Sequence, residues 1–244
     1  MSTFFNRNND ELELNTRYDA SVDATFSALL RNVYMWMSMA LVITAFTSMY
    51  VANSEYAINL LFSNSKTILV LVLVQLGLAM GLTFCLNKIS FLLASTLFAL
   101  YSVVTGITLS SIFLVYTGES IVSTFFITAG TFAAMSLFGY FTKKDLSKIG
   151  QILIMGLIGI VLASVVNIFM HSSRITWITT YVGVVIFVGL TAYDTQRIKN
   201  LLAEYSSQGI NDSNLKLALM GSFMLYLDFI NLFIKLLRIL GKKE

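Results

Sequence analysis

The chain carries seven apolar runs, each close to the ~20 residues that a helix needs to cross a hydrocarbon layer about 30 Å thick. They fall near 33–53, 67–86, 91–115, 120–141, 150–170, 177–198 and 214–239. Backbone N–H and C=O groups in lipid must be satisfied internally, and a helix does this within one segment. The expected fold class is therefore all-α, a polytopic membrane protein with seven transmembrane helices. Composition agrees: 57% of residues are hydrophobic and 12% charged, with mean hydropathy +0.78, against roughly 45–50% and about 25% in soluble domains. The net charge of +3 does not point to nucleic acid, because the basic residues sit in short links between apolar runs, where topology accounts for them. Cys85 and His171 are each the single residue of their type. The chain thus has no internal disulfide and no zinc, haem or iron–sulfur constellation.

Residues 1–31 read as a polar N-terminal tail without the apolar core and cleavage site of a signal peptide. Residues 32–244 read as one membrane domain. Ten Lys and Arg fall on the side of that tail and six on the other, so the rule of positive cytoplasmic loops places the N-terminus in the cytoplasm. The basic C-terminus (Lys235, Arg238, Lys242, Lys243) strains this reading, since seven full crossings leave it outside. A last helix that enters and returns is the alternative. The chain has no proline, so kinks must come from glycine or from Ser/Thr bonding back to the helix. Gly77 and Gly81 on the second run, and Ser95, Ala99, Ser102, Gly106 and Ser110 on the third, are expected packing faces.

Two carboxylates stand inside these runs, Asp194 in Thr191-Ala-Tyr-Asp-Thr-Gln-Arg-Ile-Lys199 and Asp228 in Tyr226-Leu-Asp-Phe-Ile-Asn-Leu-Phe233. An ionisable side chain at the centre of a membrane helix costs roughly 2.5–3.5 kcal/mol on insertion scales. Both lie 17 positions from Asn211, in the polar link Gly209-Ile-Asn-Asp-Ser-Asn214. An antiparallel hairpin about that turn brings them to one depth. Arg197, three residues after Asp194, lies on the same helix face and offers a simple surface pairing instead. Asp228 has no Lys or Arg three or four residues away. Its partner must be Asp194, Asn231, Tyr226 or Arg31. Two acids in a low-dielectric site cannot both ionise cheaply, so they should titrate as one coupled unit. With a shared proton they hold two helices together. Without it they repel or recruit a cation, and Ca²⁺ favours such hard oxygen ligands.

The string Gly189-Leu-Thr-Ala-Tyr193-Asp194-Thr-Gln196 followed by Tyr226-Leu-Asp228-Phe-Ile-Asn-Leu-Phe233 resembles the signature of the transmembrane Bax inhibitor motif family. Arg31-Asn-Val-Tyr34, Gly106-Ile-Thr-Leu-Ser-Ser-Ile112, Ser136-Leu-Phe-Gly-Tyr140, Thr142-Lys-Lys-Asp-Leu-Ser147 and Gly156-Leu-Ile-Gly159 match as well, from about Arg31 to Gly241. The likeness extends to the bacterial inner-membrane branch. It implies two three-helix layers wrapped around a central C-terminal helix, and a pH-sensitive calcium leak whose acidic pair corresponds to Asp194 and Asp228. Arg31, Gln75, Tyr193, Arg197 and Asn231 are the supporting candidates. Some relatives carry a glutamate on the second helix where this chain has Gln75, which can coordinate or hydrogen-bond but cannot titrate.

Several other features read as structural. His171 is a loop residue, Trp36 and Trp177 are interfacial anchors, Met35, Met37, Met39 and Met49 are packing, and Asp145 caps the fifth crossing helix. There is no Walker or zinc-protease motif and no Ser/His/Asp set, so no enzyme is expected and no cofactor beyond a permeant or bound calcium ion. Three functions from different classes follow: a cation leak gated by the aspartates, an interaction protein that modulates a membrane-bound AAA protease through its polar tail, and a small-solute transporter. The last lacks the interrupted helix pairs of many transporters.

Overall fold

A computed structural model of the chain describes residues 2–62 and 65–243, with side chains from Tyr18 onward except at 62–66 and 87. Eight α-helices follow one another: α1 (Ser2–Ala52), α2 (Glu55–Phe62), α3 (Ser65–Cys85), α4 (Phe91–Leu109), α5 (Gly118–Phe141), α6 (Ser147–Met170), α7 (Ser173–Tyr205) and α8 (Asp212–Leu240). Seven of them, all but α2, are long and apolar enough to cross a membrane. Their starts are written in local chemistry. Ser90, Thr117, Ser172 and Asn211 each accept a backbone N–H from the first turn of α4, α5, α7 and α8, satisfying donors that a helix leaves orphaned. α6 begins without a side-chain cap of its own. Instead, Asp145 accepts from the Ser147 N–H at 2.9 Å.

The helices sort into two sets of three. α4 packs against α1 and α3, while α7 packs against α5 and α6; α8 runs between the sets and touches α1, α4, α5 and α7. α8 is accordingly the most buried crossing helix. This is the layered arrangement with a central C-terminal helix that the resemblance implied. Edge-to-face rings of Phe98, Tyr101, Phe223 and Tyr226 fill the α4–α8 seam, with centroids 5.1–6.0 Å apart. The Tyr226 hydroxyl lies 2.7 Å from Thr44 Oγ1, which donates at 3.0 Å to the Ser102 carbonyl. The phenol therefore donates to Thr44, and one bonded chain joins α8, α1 and α4.

Some expectations change. The first crossing helix is continuous well before residue 33, and Leu29 is already fully buried. A role for the polar tail as a partner's handle falls largely on residues 1–17, which lie outside the described side chains. α2 was not anticipated, being too short to leave a hydrophobic signature of its own. The stripe on α4 packs as expected: Ser95, Ser102, Gly106 and Ser110 are buried, and a Cβ at Gly106 would meet Thr44 and Thr47 at 2.7 Å. Gly77 and Gly81 on α3 do not, since a Cβ at either would meet nothing within 4 Å. Spacing alone does not tell a packed small-residue face from an exposed one. The seven-crossing expectation holds at the last helix, since α8 is continuous and does not turn back. Beyond its end, the Lys242 carbonyl accepts from the Thr117 N–H at 3.1 Å, and the Lys242 N–H donates to Ser120 Oγ at 3.0 Å. The C-terminus thus joins the α4–α5 link, at the opposite end of the bundle from the α7–α8 turn.

Candidate functional site

The α7–α8 turn sets the register on which the site depends. Gly209 adopts φ 73° and ψ −175°, a region open essentially to glycine. The buried Asn214 side chain donates to the carbonyls of Tyr205 (3.1 Å) and Gly209 (2.7 Å), while its N–H donates to Asn211 Oδ1 at 2.9 Å. The two helices leave this locked turn antiparallel and form the most extensive helix pair in the molecule. Gly221 lets Ile198 approach, with 3.1 Å to the position a Cβ would take.

Equal spacing from the turn then has its geometric effect. Asp194 and Asp228 are both buried, 9% and 4% exposed, with their carboxyl groups within hydrogen-bonding reach of one another. Asp194 lies eleven residues before the end of α7, about 17 Å at 1.5 Å per residue. Asp228 lies twelve before the opposite end of α8, about 18 Å. The pair therefore lies about three turns inward from both of these ends. Asp228 Oδ2 is buried with no donor from any other group among the described residues. A buried acceptor left in that state is costly.

The pair sits in the wall of a groove of about 780 Å³ between α6 and α3, floored by α7 and α8. Arg197, Asp194, Asp228, Asn231 and Lys235 all line it. α6 contributes only apolar side chains and Ser164, and α3 only Leu76. Arg197 is largely exposed and forms no ion pair with Asp194 among the described residues, although its charge acts on that carboxylate. Simple neutralisation by the neighbour on the same face therefore does not describe Asp194. Lys235 stands seven residues after Asp228 on α8, and its stem runs along Gly183. Sequence reasoning assigned Lys235 only to topology. Its seven-residue offset from Asp228, two helical turns, was the available signal.

The supporting candidates divide. Asn231 lines the groove, but its Nδ2 donates back to the Leu227 carbonyl at 2.8 Å, leaving Oδ1 free. Gln75 is turned away, donating to Thr105 Oγ1 at 3.1 Å. Tyr193 packs its ring against Gly150 of α6. Arg31 is exposed on α1 and does not line the groove. Tyr226 cannot serve Asp228, because its hydroxyl is committed to Thr44.

Two motif residues that the sequence left without a role form a clamp beside the site. Gln196 Oε1 accepts from the Leu146 N–H and its Nε2 donates to the Lys144 carbonyl, both at 2.9 Å. Lys199 Nζ donates to the Tyr140 carbonyl at 2.7 Å and lies 5.4 Å from the centre of that ring. Together they fix the α5–α6 link to α7. As an ion site the groove is sparse. Ca²⁺ takes roughly 6–8 oxygens, and the side chains lining the groove offer two carboxylates, one amide oxygen and the Ser164 hydroxyl. Among the described residues no three His, Cys, Asp or Glu gather to hold a metal.

The chain is similar to known proteins over most of its length. The chain is 50% identical over 222 residues to the inner membrane protein YbhL of Escherichia coli strain K12, covering 91% of this chain and 94% of that one. It is 47% identical over 215 residues to an uncharacterized protein of Borreliella burgdorferi, at 88% and 92% coverage. It is 39% identical over 228 residues to an uncharacterized protein of Rickettsia prowazekii, at 92% and 95%. The family model described as inhibitor of apoptosis-promoting Bax1 matches residues 27–244, so the chain belongs to the Bax inhibitor-1-like family.

Proposed function

We propose that this protein is a non-enzymatic, pH-sensitive leak pathway for calcium or a related cation, gated by Asp194 and Asp228. The observation that carries the reading is the buried pair itself: two facing carboxyls on the most tightly packed helix pair, in the wall of an open groove. While one proton is shared, the acids join α7 to α8 and present little net charge to the groove. When that proton leaves as pH rises, two negative charges face each other in a low-dielectric wall, where repulsion is strong. The charge is relieved by parting the helices or by admitting a cation, so flux rises with pH. The charged groups facing the pair are Arg197 from α7 and Lys235 from α8; α3 and α6 add none.

The membrane in question is proposed to be the bacterial inner membrane, as the name of the Escherichia coli relative suggests. Ten basic residues on the side of the N-terminus, against six opposite, support a cytoplasmic N-terminus. The test is calcium uptake into proteoliposomes across a pH series, comparing wild type with Asp194→Asn and Asp228→Asn. The expected result is that Asp228→Asn flattens the pH response while the protein stays folded. An unchanged response in both variants would overturn the gating role.

A further inference from the structure

A second buried polar atom lacks a partner, at a different place in the fold. Ser48 Oγ on α1 is without a hydrogen bond, and the residue is 3% exposed. It lines a groove of about 440 Å³ between α1 and α5, whose floor is Phe229, Ile230 and Phe233 of α8. Apart from Ser48 and Thr44 the lining is apolar, and the Thr44 hydroxyl is already bonded to Tyr226 and Ser102. The groove therefore offers hydrocarbon walls and one free hydroxyl donor.

Its depth and rim narrow the ligand further. Ser48 lies four residues, about one turn, before the end of α1 at Ala52. The hydroxyl therefore lies close to the end of the crossing helix, not at its centre. At the same end, the backbones of Lys242 and Lys243 pair with those of Thr117 and Tyr116 beside Gly118, which lines the groove, and both lysine side chains are exposed. Glu119 in the first turn of α5 and Glu55 in the first turn of α2 are acidic residues described at this end. Two exposed lysines beside a hydrocarbon slot match a molecule with an anionic head and an apolar tail.

We infer that the α1–α5 groove is a binding site for one anionic phospholipid. An acyl chain lies along the α8 floor, an ester carbonyl accepts from Ser48 Oγ, and the phosphate stands near Lys242 and Lys243. This site is separate from the aspartate groove and does not depend on the ion-leak reading.

The test uses the purified full chain in detergent, with dioleoyl phosphatidylglycerol or dioleoyl phosphatidylcholine as probe and native mass spectrometry to count retained lipid. Wild type should retain one phosphatidylglycerol several-fold more than phosphatidylcholine. Ala45→Trp and Val122→Trp, which fill the groove from its two walls, should lose it while keeping a wild-type unfolding midpoint. Ser48→Ala should weaken retention, and Lys242→Gln with Lys243→Gln should remove the preference for the anionic head. Equal retention of both lipids by wild type, or undiminished retention by a folded groove-filling variant, would overturn the assignment.

Discussion

At the scale of single residues, space around each glycine separates positions that look alike in sequence. A Cβ at Gly139 would run into the Ala192 backbone, so Gly139→Ala should destabilise by about 1–3 kcal/mol or more, as overpacking does. Gly77→Ala meets nothing and should leave the unfolding midpoint unchanged within error. Thermal unfolding in one detergent checks both. Asp145 makes the contrasting case among the acids. Bonds from Ser147 hold its carboxyl below the ordinary value of 3.8. A depressed folded value means that its stabilisation is present above 3.8 and fades as pH falls through the lower one. It therefore stays ionised through the neutral range, and Asp145→Asn should leave the pH response proposed for calcium flux in place. Asp194 and Asp228 were legible from sequence because a carboxylate in an apolar run has few innocent explanations. The partners of Gln75, Arg31 and Tyr193 were not, because which way a side chain leaves a helix depends on neighbours that only the assembled bundle supplies.

At the scale of elements, two hydrogen-bonded joints hold the parts in register. Tyr226→Phe removes the bond to Thr44 that links α8 to α1 and α4. It should destabilise by about 0.5–1.5 kcal/mol, measured by denaturation in mixed micelles. Gln196→Leu leaves the Leu146 N–H and Lys144 carbonyl without their partner. Hydrogen exchange of the α5–α6 link should then rise severalfold while that of α8 stays slow. The seven crossings were readable from hydropathy to within a few residues at most ends. The early start of α1 was hidden, because its buried residues there are few and widely spaced, with Leu29 and Val33 the first fully covered. The full crossing of α8 was the preferred reading despite its basic end, and the Lys242 backbone paired with Thr117 and Ser120 agrees with it.

At the scale of the whole molecule, the ends of the chain lie at opposite ends of the bundle, since seven helices cross and the last does not return. Reporter fusions at the N- and C-termini should therefore report opposite compartments, and the same compartment for both would contradict the bundle. The central helix is gripped by α1, α4, α5 and α7, whereas α6 leans substantially on α7 alone, and α3 on α4 and the short segments beside it. Those two loosely held helices are the banks of the aspartate groove. Widening it would strain a single seam on either bank and leave the scaffold standing, much as a shutter swings without disturbing the wall to which it is hung.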